Sequence, residues 1–253
     1  MGNSEKAYEI IDEFMVGNNL SVSGLLMYRK QLLDSLFSMP DVVKEEYDNL
    51  YDRLKRDYEN YKDNKEHIIT AQERGSLFEK MIGCLFFSGD TLLFNEEFNC
   101  RTSTNEIDLL IQWSDVAIQN QINTIYDYMG RSFLCECKNY EGGVGVTYVG
   151  KFYSLLKVNC SNFGILFVST KVKGRNKWDS AQGLIRKIAL RDGVYIITIE
   201  WEDLTRIYNC ETNVLKLIAD KYNALKNDIE YDKYIKKHEM ADEFLKRMQT
   251  KIL

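Results

Sequence analysis

The chain of 253 residues is 45% hydrophobic and 28% charged, an ordinary globular composition, and its formal net charge is −5. It has no run of 18 apolar residues, which excludes a membrane-spanning helix. Its acidic start, MGNSEKAYEIIDEF, lacks the basic beginning and apolar centre of a signal peptide. Gly2 is not expected to carry myristate, because Lys6 stands where that signal needs Ser or Thr. We expect a cytoplasmic protein.

Cysteine and histidine usage argues against two classes of site. No two cysteines form a CxxC pair, and the chain has only two histidines, so a zinc site is not expected. His67 and His238 lie in charged, helix-like segments away from any nucleophile pattern, which disfavours a Ser-His-Asp or Cys-His hydrolase. We expect reduced, mostly buried thiols. The six cysteines are Cys84, Cys100, Cys135, Cys137, Cys160 and Cys210.

Positive charge is concentrated in the middle of the chain. Residues 131–191 contain eleven basic and three acidic side chains, a net charge of +8, which leaves −13 for the remainder. A basic middle between acidic ends is typical of a localised polyanion site. Chance clustering on a solvated face is the alternative, and charge alone does not separate the two.

The first 70 residues are rich in helix formers, and Pro40 marks a break in them. Asp41 is expected to cap the helix that follows, which runs to about Asn64. Tyrosine and leucine recur in this helix at steps of three and four residues. This stripe predicts a surface for packing or for a partner.

A second helix is expected from Ala71 to about Phe87, with apolar residues at i, i+4 spacing. Glu79 lies at the edge of that apolar stripe, about 100° around the helix from Phe78. The helix is expected to end at Gly89-Asp90.

Alternating and continuous apolar runs predict five strands, with helices between the later ones. The predicted strands are 92–100, 106–113, 132–140, 163–170 and 194–201, and the predicted helices among and after them are 147–158, 180–190, 202–208 and 212–253. Residues 115–130 are too long for a hairpin and are expected to form a helix or a lid-like insertion. The strand–helix alternation favours an α/β fold with some parallel pairing.

The stretch SFLCECKNY contains the candidate catalytic and metal-binding residues. Side chains alternate along a strand, so Glu136 and Lys138 share one face and Cys135 and Cys137 share the other. If this strand pairs with the one that carries Asp108, two carboxylates and the Cys137 carbonyl can converge on one cation. Such a hard oxygen set suits Mg²⁺. Lys138 could then help to deprotonate the attacking water or offset charge in the transition state.

Other candidates are basic. Lys151, on the helix after this strand, is expected to reach phosphate, although a solvated lysine is an equal alternative. A loop with an aromatic residue, Trp178, carries further cations that could grip a nucleic-acid backbone. Those cations are Lys171, Lys173, Arg175 and Lys177. The alternative for that loop is a solubilising role.

Together these motifs resemble the PD-(D/E)xK nuclease superfamily, and within it the Mrr-like (type IV) restriction endonucleases. RGSLFEKMIGCLFF is similar to the first core helix with its Glu, TNEIDLLI to the strand with the metal-binding Asp, and SFLCECKNY to the catalytic strand. TYVGKFYSLL, FGILFVST, SAQGLIRKIAL and GVYIITIEWEDL are similar to the helices and strands that follow. The resemblance covers about residues 74–205.

The resemblance implies a restriction-endonuclease-like core, a central mixed sheet flanked by helices, and Mg²⁺-dependent hydrolysis of DNA, with Mn²⁺ as a substitute. It makes Asp108 and Glu136 metal ligands, Lys138 the catalytic lysine and Glu79 an auxiliary acid. The chain departs from the pattern of this family at two points, and both bear on substrate preference. The element after Asp108 is longer than a simple hairpin. The helix after the motif has Lys151 and no glutamine, where Mrr-like enzymes often have a glutamine.

The expected organisation is a helical N-terminal extension (1–70), a nuclease core (71–206) and a helical C-terminal extension (207–253). The expected role is restriction or anti-phage defence, with DNA as substrate and RNA left open, and with a homodimer for double-strand cleavage. One alternative is a nucleic-acid-binding module with weak or no hydrolysis. Another is a structural subunit whose terminal helices dock a partner protein in a defence complex.

Overall fold

The computed structural model describes residues 37–86, 93–101, 106–140, 142–170, 172 and 180–234, together with residue 17. These residues form a five-stranded mixed sheet with helices on both faces, which confirms the predicted α/β class. No helix in this part of the chain is both long enough and apolar enough to cross a membrane.

The elements follow one another in nearly the predicted order. The helices are α1 (Asp41–Asn64), α2 (Ala71–Cys84), α3 (Asp115–Gln119), α4 (Val146–Val158), α5 (Ala181–Asp192), α6 (Trp201–Tyr208) and α7 (Val214–Tyr234), with a 3-10 helix at Ile122–Met129. The strands are β1 (Phe94–Arg101), β2 (Glu106–Trp113), β3 (Ser132–Lys138), β4 (Phe163–Val168) and β5 (Tyr195–Ile199). The segment between β2 and β3, expected to be a helix or a lid, forms α3 and the 3-10 helix.

The sheet has the strand order β1-β2-β3-β4-β5. β1, β2 and β3 pair antiparallel, whereas β3, β4 and β5 pair parallel, with α4 and α5 as the crossovers. Every residue of β4 is buried, as its continuous apolar run predicts for a strand covered on both faces. β3 therefore lies at the centre of the sheet, where the pairing changes from antiparallel to parallel.

The two faces of the sheet bury two separate hydrophobic clusters. Cys135 and Cys137 of β3 point to the face that is covered by α1, α2, α6 and α7. Leu134, one residue away, points to the opposite face, which is covered by α4 and α5. Because side chains alternate along a strand, Glu136 and Lys138 belong to the α4 face.

The terminal helices take part in this core. Tyr47 and Tyr51 of α1 and Leu215 and Ile218 of α7 are buried in the same cluster as the sheet residues. The Tyr51 ring stacks on the Trp201 indole at a centroid distance of 4.8 Å. Both predicted extensions thus include a helix that packs on the sheet, and the predicted domain boundaries stay predictions.

The prediction for the start of α1 was wrong in detail. Pro40 is the N-cap residue, and no side chain caps the helix, so Asp41 is instead the acidic residue of the first turn. Its charge still complements the positive end of the helix dipole there.

A buried carboxylate, that of Asp57, holds the loop between α1 and α2 by hydrogen bonds. Asp57 is 1% exposed, and its Oδ1 accepts the N–H groups of Ile68 at 2.6 Å and Ile69 at 3.0 Å. Its Oδ2 lies 2.7 Å from Nδ1 of His67 and 3.8 Å from Nε of Arg74. His67 therefore lies in a loop, and not in a helix as its sequence had suggested. Its contact with Asp57 helps to hold that loop against α1.

A glycine sets the spacing between α4 and the sheet. A Cβ at Gly164 of β4 would lie 2.7 Å from Cδ2 of Leu156 and 2.8 Å from Cζ of Phe152, both on α4. Both side chains are buried, so neither can move without disturbing the core. Gly150, also on α4, has no atom within 4 Å of the same position.

We predict that Asp57→Ala lowers the free energy of unfolding by about 3 kcal/mol, because the N–H groups of Ile68 and Ile69 lose their acceptor and the buried Arg74 loses a neighbouring negative charge. Asp57→Asn keeps one oxygen and should lose less. Urea unfolding followed by circular dichroism measures both. Glu66→Ala, an exposed change in the same loop, is the control and should alter stability by less than about 0.5 kcal/mol. Equal stability of Asp57→Ala and the wild type would contradict this role.

We predict opposite effects for two glycine substitutions. Gly164→Ala should destabilise the protein by about 1–3 kcal/mol, because the added methyl overpacks the α4–β4 contact. Gly150→Ala should leave stability unchanged or raise it by up to about 1 kcal/mol, because it removes a helix-interior glycine without a clash. The same unfolding assay compares them. Similar values for the two variants would show that α4 does not pack against Gly164 this closely.

Candidate active site

Three charged side chains converge at one end of β2 and β3. Leu109 lies opposite Cys135 in the antiparallel ladder, and continuing that register places Asp108 opposite Glu136. Lys138 follows two residues later on the same face of β3. The structure thus brings together the three residues that the sequence singled out.

The Lys138 ammonium lies among three oxygen atoms. It donates a hydrogen bond to the Cys137 carbonyl at 3.2 Å, and its Nζ is 3.5 Å from Oδ2 of Asp108. It also forms an ion pair with Oε1 of Glu136. These are the same three groups that the sequence predicted as ligands of a metal ion. The three oxygens are therefore already arranged around one point of positive charge.

A backbone hydrogen bond orients Asp108. Its Oδ2 accepts the N–H of Cys137 at 2.7 Å, just beyond the last ladder pair of β2 and β3. The carboxylate thereby substitutes for a backbone acceptor where the ladder ends. Its position is consequently fixed by β3 itself and not by a mobile loop.

The surroundings keep Lys138 charged. Its side chain is only 18% exposed, and this burial lowers its pKa. The negative charges of Glu136 and Asp108 and the hydrogen bond to Glu136 outweigh that effect, so the pKa of Lys138 is raised overall. At neutral pH, Lys138 is an ammonium ion that offsets negative charge, and not a proton acceptor.

The oxygen set fits a hard divalent cation. Two carboxylates and one carbonyl can bind Mg²⁺, which keeps several water ligands and needs few protein groups. Within the described ranges, no three His, Cys, Asp or Glu side chains come close enough to hold a metal ion together. A closed zinc site, which needs four such ligands, has no support in these residues.

The auxiliary acid predicted from the sequence, Glu79, is carried by α2. Glu79 is half-buried on α2, and α2 packs against the thiol face of β3. Its negative charge contributes to the raised pKa of the Cys137 thiol, which places it near β3. The structure does not bring Glu79 into one group with Asp108 and Glu136.

The cysteines of β3 anchor the strand. Burial raises the pKa of both the Cys135 and the Cys137 thiols, with a further contribution from the Asp108 carboxylate. Neither is therefore a thiolate at neutral pH, and only a thiolate acts as a nucleophile or metal ligand. All five cysteines with described side chains are free thiols, three of them buried.

A groove of about 690 Å³ opens beside Glu136. Lys151 lines it from α4, together with the small or polar residues Thr147, Gly150 and Ser154. Lys151 and Glu136 thus line the same groove, and the expectation that Lys151 reaches phosphate stays a prediction. The predicted basic loop with Lys171, Lys173, Arg175 and Lys177 lies outside the described residues.

Sequence reasoning missed an aromatic pair at the edge of the site. Tyr140 follows β3, and its ring lies 4.8 Å from that of Tyr148, on the first turn of α4. A hydrogen bond between the two hydroxyl groups, together with burial, raises the pKa of Tyr140. Nζ of Lys151 lies 5.8 Å from the centre of the Tyr148 ring. The sequence did contain a signal for this arrangement. Tyr148 and Lys151 are three residues apart on the helix that follows β3, a spacing that places two side chains side by side.

The comparisons with known proteins found one remote structural likeness. No family model matches the chain, and no curated protein matches it. Among solved structures, the chain is similar to the DNA modification-dependent restriction endonuclease AspBHI, with 17% sequence identity and a TM-score of 0.35. The matched region covers 73% of this chain and 40% of that chain.

We predict that Lys138→Met lowers the melting temperature by about 4–8 °C in EDTA, because two carboxylates lose their shared cation. Mg²⁺ or Mn²⁺ should raise the melting temperature of this variant more than that of the wild type, because no ammonium competes for the oxygens. Differential scanning calorimetry measures both effects. Lys157→Met, an exposed change of equal charge on α4, is the control and should behave like the wild type.

If divalent ions shifted neither protein, or shifted both equally, the carboxylate pair would not be a cation site with which Lys138 competes.

Proposed function

We propose that this protein is a metal-dependent nuclease that hydrolyses phosphodiester bonds, with DNA as the expected substrate. The observation that carries the proposal is the arrangement of Asp108, Glu136 and the Cys137 carbonyl around one cationic point at the end of adjacent strands. Phosphodiester hydrolysis needs positive charge at the phosphate oxygens and an activated water molecule.

The resemblance to PD-(D/E)xK nucleases supports the same reading. The motif residues lie on neighbouring strands of a mixed sheet, and α4, β4, α5 and β5 follow them in the order that the resemblance implies. We further propose an Mrr-like enzyme that serves restriction or anti-phage defence. A cytoplasmic homodimer, with partner proteins bound through the terminal helices, completes the proposal.

Each residue of the cluster has a distinct role in this proposal. Asp108, Glu136 and the Cys137 carbonyl would hold Mg²⁺, or Mn²⁺ in its place, which when bound supplies a Lewis acid that lowers the pKa of water and offsets phosphate charge. The N–H of Cys137 keeps the Asp108 carboxylate in position. Lys138 donates hydrogen bonds to the phosphate oxygens and stabilises the additional negative charge of the transition state.

A binding module is the second candidate. In the described structure Lys138 contacts both Asp108 and Glu136, so its ammonium group offsets part of their negative charge. Such a cluster could serve only as a buried ion-pair network in a protein that holds nucleic acid without cutting it. The two candidates differ in whether charge-removing variants lose hydrolysis or only stability.

The deciding experiment is a cleavage assay on supercoiled plasmid, linear duplex DNA and single-stranded RNA, with Mg²⁺, Mn²⁺ or EDTA. We expect metal-dependent cutting that falls at least about 100-fold in Asp108→Asn and in Lys138→Met. Asp115→Asn, which removes an exposed acid at the start of α3, is the control and should cut like the wild type.

Full activity in the double variant Asp108→Asn/Lys138→Met would overturn the proposal. Metal-independent cutting would overturn the assigned ligands. If no substrate were cut but nucleic acid still bound, the binding module would be favoured.

A further inference from the structure

The α4 groove, defined above by Thr147, Gly150, Lys151 and Ser154, begins at the charged cluster. Glu136 belongs to both, because its carboxylate pairs with Lys138 while its side chain lines the groove. A chain molecule with a phosphate at Lys138 would therefore continue into the groove. The volume of about 690 Å³ lies within the range of ordinary small-molecule sites.

The walls of the groove suit an amphipathic ligand with little charge. Lys151 is the cationic side chain among the residues that line it, and Thr147 and Ser154 contribute hydroxyl groups. Phe152, Leu155 and Val158 form an apolar part. A cation beside apolar and hydroxyl groups can bind a single nucleotide unit, with the phosphate on the cation.

An aromatic ring lies next to the charged cluster, because Tyr140 follows Lys138 by two residues just after the end of β3. Tyr140 is 39% exposed, so part of its surface can meet a ligand. The Tyr148 ring lies 4.8 Å from the Tyr140 ring and 5.8 Å from Nζ of Lys151, so Tyr148 contacts both the exposed ring and the cation that lines the groove. Bases of single strands stack on such rings, while a neighbouring cation contacts the phosphate.

We propose that the α4 groove binds an unpaired nucleotide adjoining the scissile phosphate, with its base stacked on Tyr140 and its phosphate bound by Lys151. The preferred substrate is then single-stranded nucleic acid, or a duplex with an unpaired segment at the cut. This inference rests on the proposed function, which identifies the ligand as nucleic acid, and it names the substrate class of that same site.

The test separates binding from cleavage. In EDTA, fluorescence anisotropy measures the Kd of the full chain for a short labelled single strand and for the matched duplex. Tyr140→Leu should weaken single-strand binding about 5- to 100-fold and duplex binding by less than about twofold. Tyr140→Phe keeps the ring and should retain the wild-type affinity. Tyr153→Leu is the control, a tyrosine of α4 whose hydroxyl group donates to Asp192.

A spectroscopic readout reports the stacking itself. The fluorescence of 2-aminopurine in the single strand should be quenched by the wild type and by Tyr140→Phe, but not by Tyr140→Leu. Unchanged quenching in Tyr140→Leu, or equal loss of single-strand and duplex affinity, would overturn the inference. So would a wild-type protein that binds neither strand form.

Cleavage of the same two substrates in Mg²⁺ then distinguishes this inference from the proposed function. Selective, Tyr140-dependent binding without cleavage would support the stacking site and overturn the proposed hydrolysis. Metal-dependent cleavage of the duplex at the same rate in the wild type and in Tyr140→Leu would support the proposed hydrolysis and overturn the stacking site.

Discussion

The constraint on which the site depends is that two neighbouring carboxylates, Asp108 on β2 and Glu136 on β3, share one counter-ion. Asp108 and Glu136 are each 17% exposed, and two negative charges this close and this shielded repel one another. The Lys138 ammonium lies between them and also contacts the Cys137 carbonyl. β3 can therefore stay in the centre of the sheet while it carries charge, because the counter-ion is part of the same strand.

The fold was largely predictable because its elements have strong periodic patterns. The bounds of α1 and β2 match their sequence predictions, since each has apolar residues on a sustained face. Features set by single contacts were harder to predict. Asp41 has the chemistry of an N-cap, but the helix begins one residue earlier than that role requires, with Pro40 at the N-cap position. Likewise, nothing local in the sequence shows that Asp57 draws the following loop onto α1.

The site was predictable where alternation along a strand decides the outcome. Glu136 and Lys138 share a face by the geometry of any strand, and their pairing with Asp108 needs only that β2 and β3 be neighbours. Glu79 is different, because its position relative to β3 depends on which face α2 covers, a tertiary fact that periodicity does not contain. Tyr140 also escaped notice, since its partner Tyr148 lies across a turn whose path the sequence does not fix.

Gly164 has a consequence beyond the stability of the core. The absence of a side chain there lets Phe152 and Leu156 approach the sheet, and Phe152 also belongs to the wall of the α4 groove. The width of the groove is thus determined by the interior of the protein, through a residue that no ligand can touch. Evolution or design could widen or narrow the groove by a substitution in β4 alone, without substituting any residue that lines the groove. Selectivity for what enters the groove would then be a property of packing as much as of polar contacts.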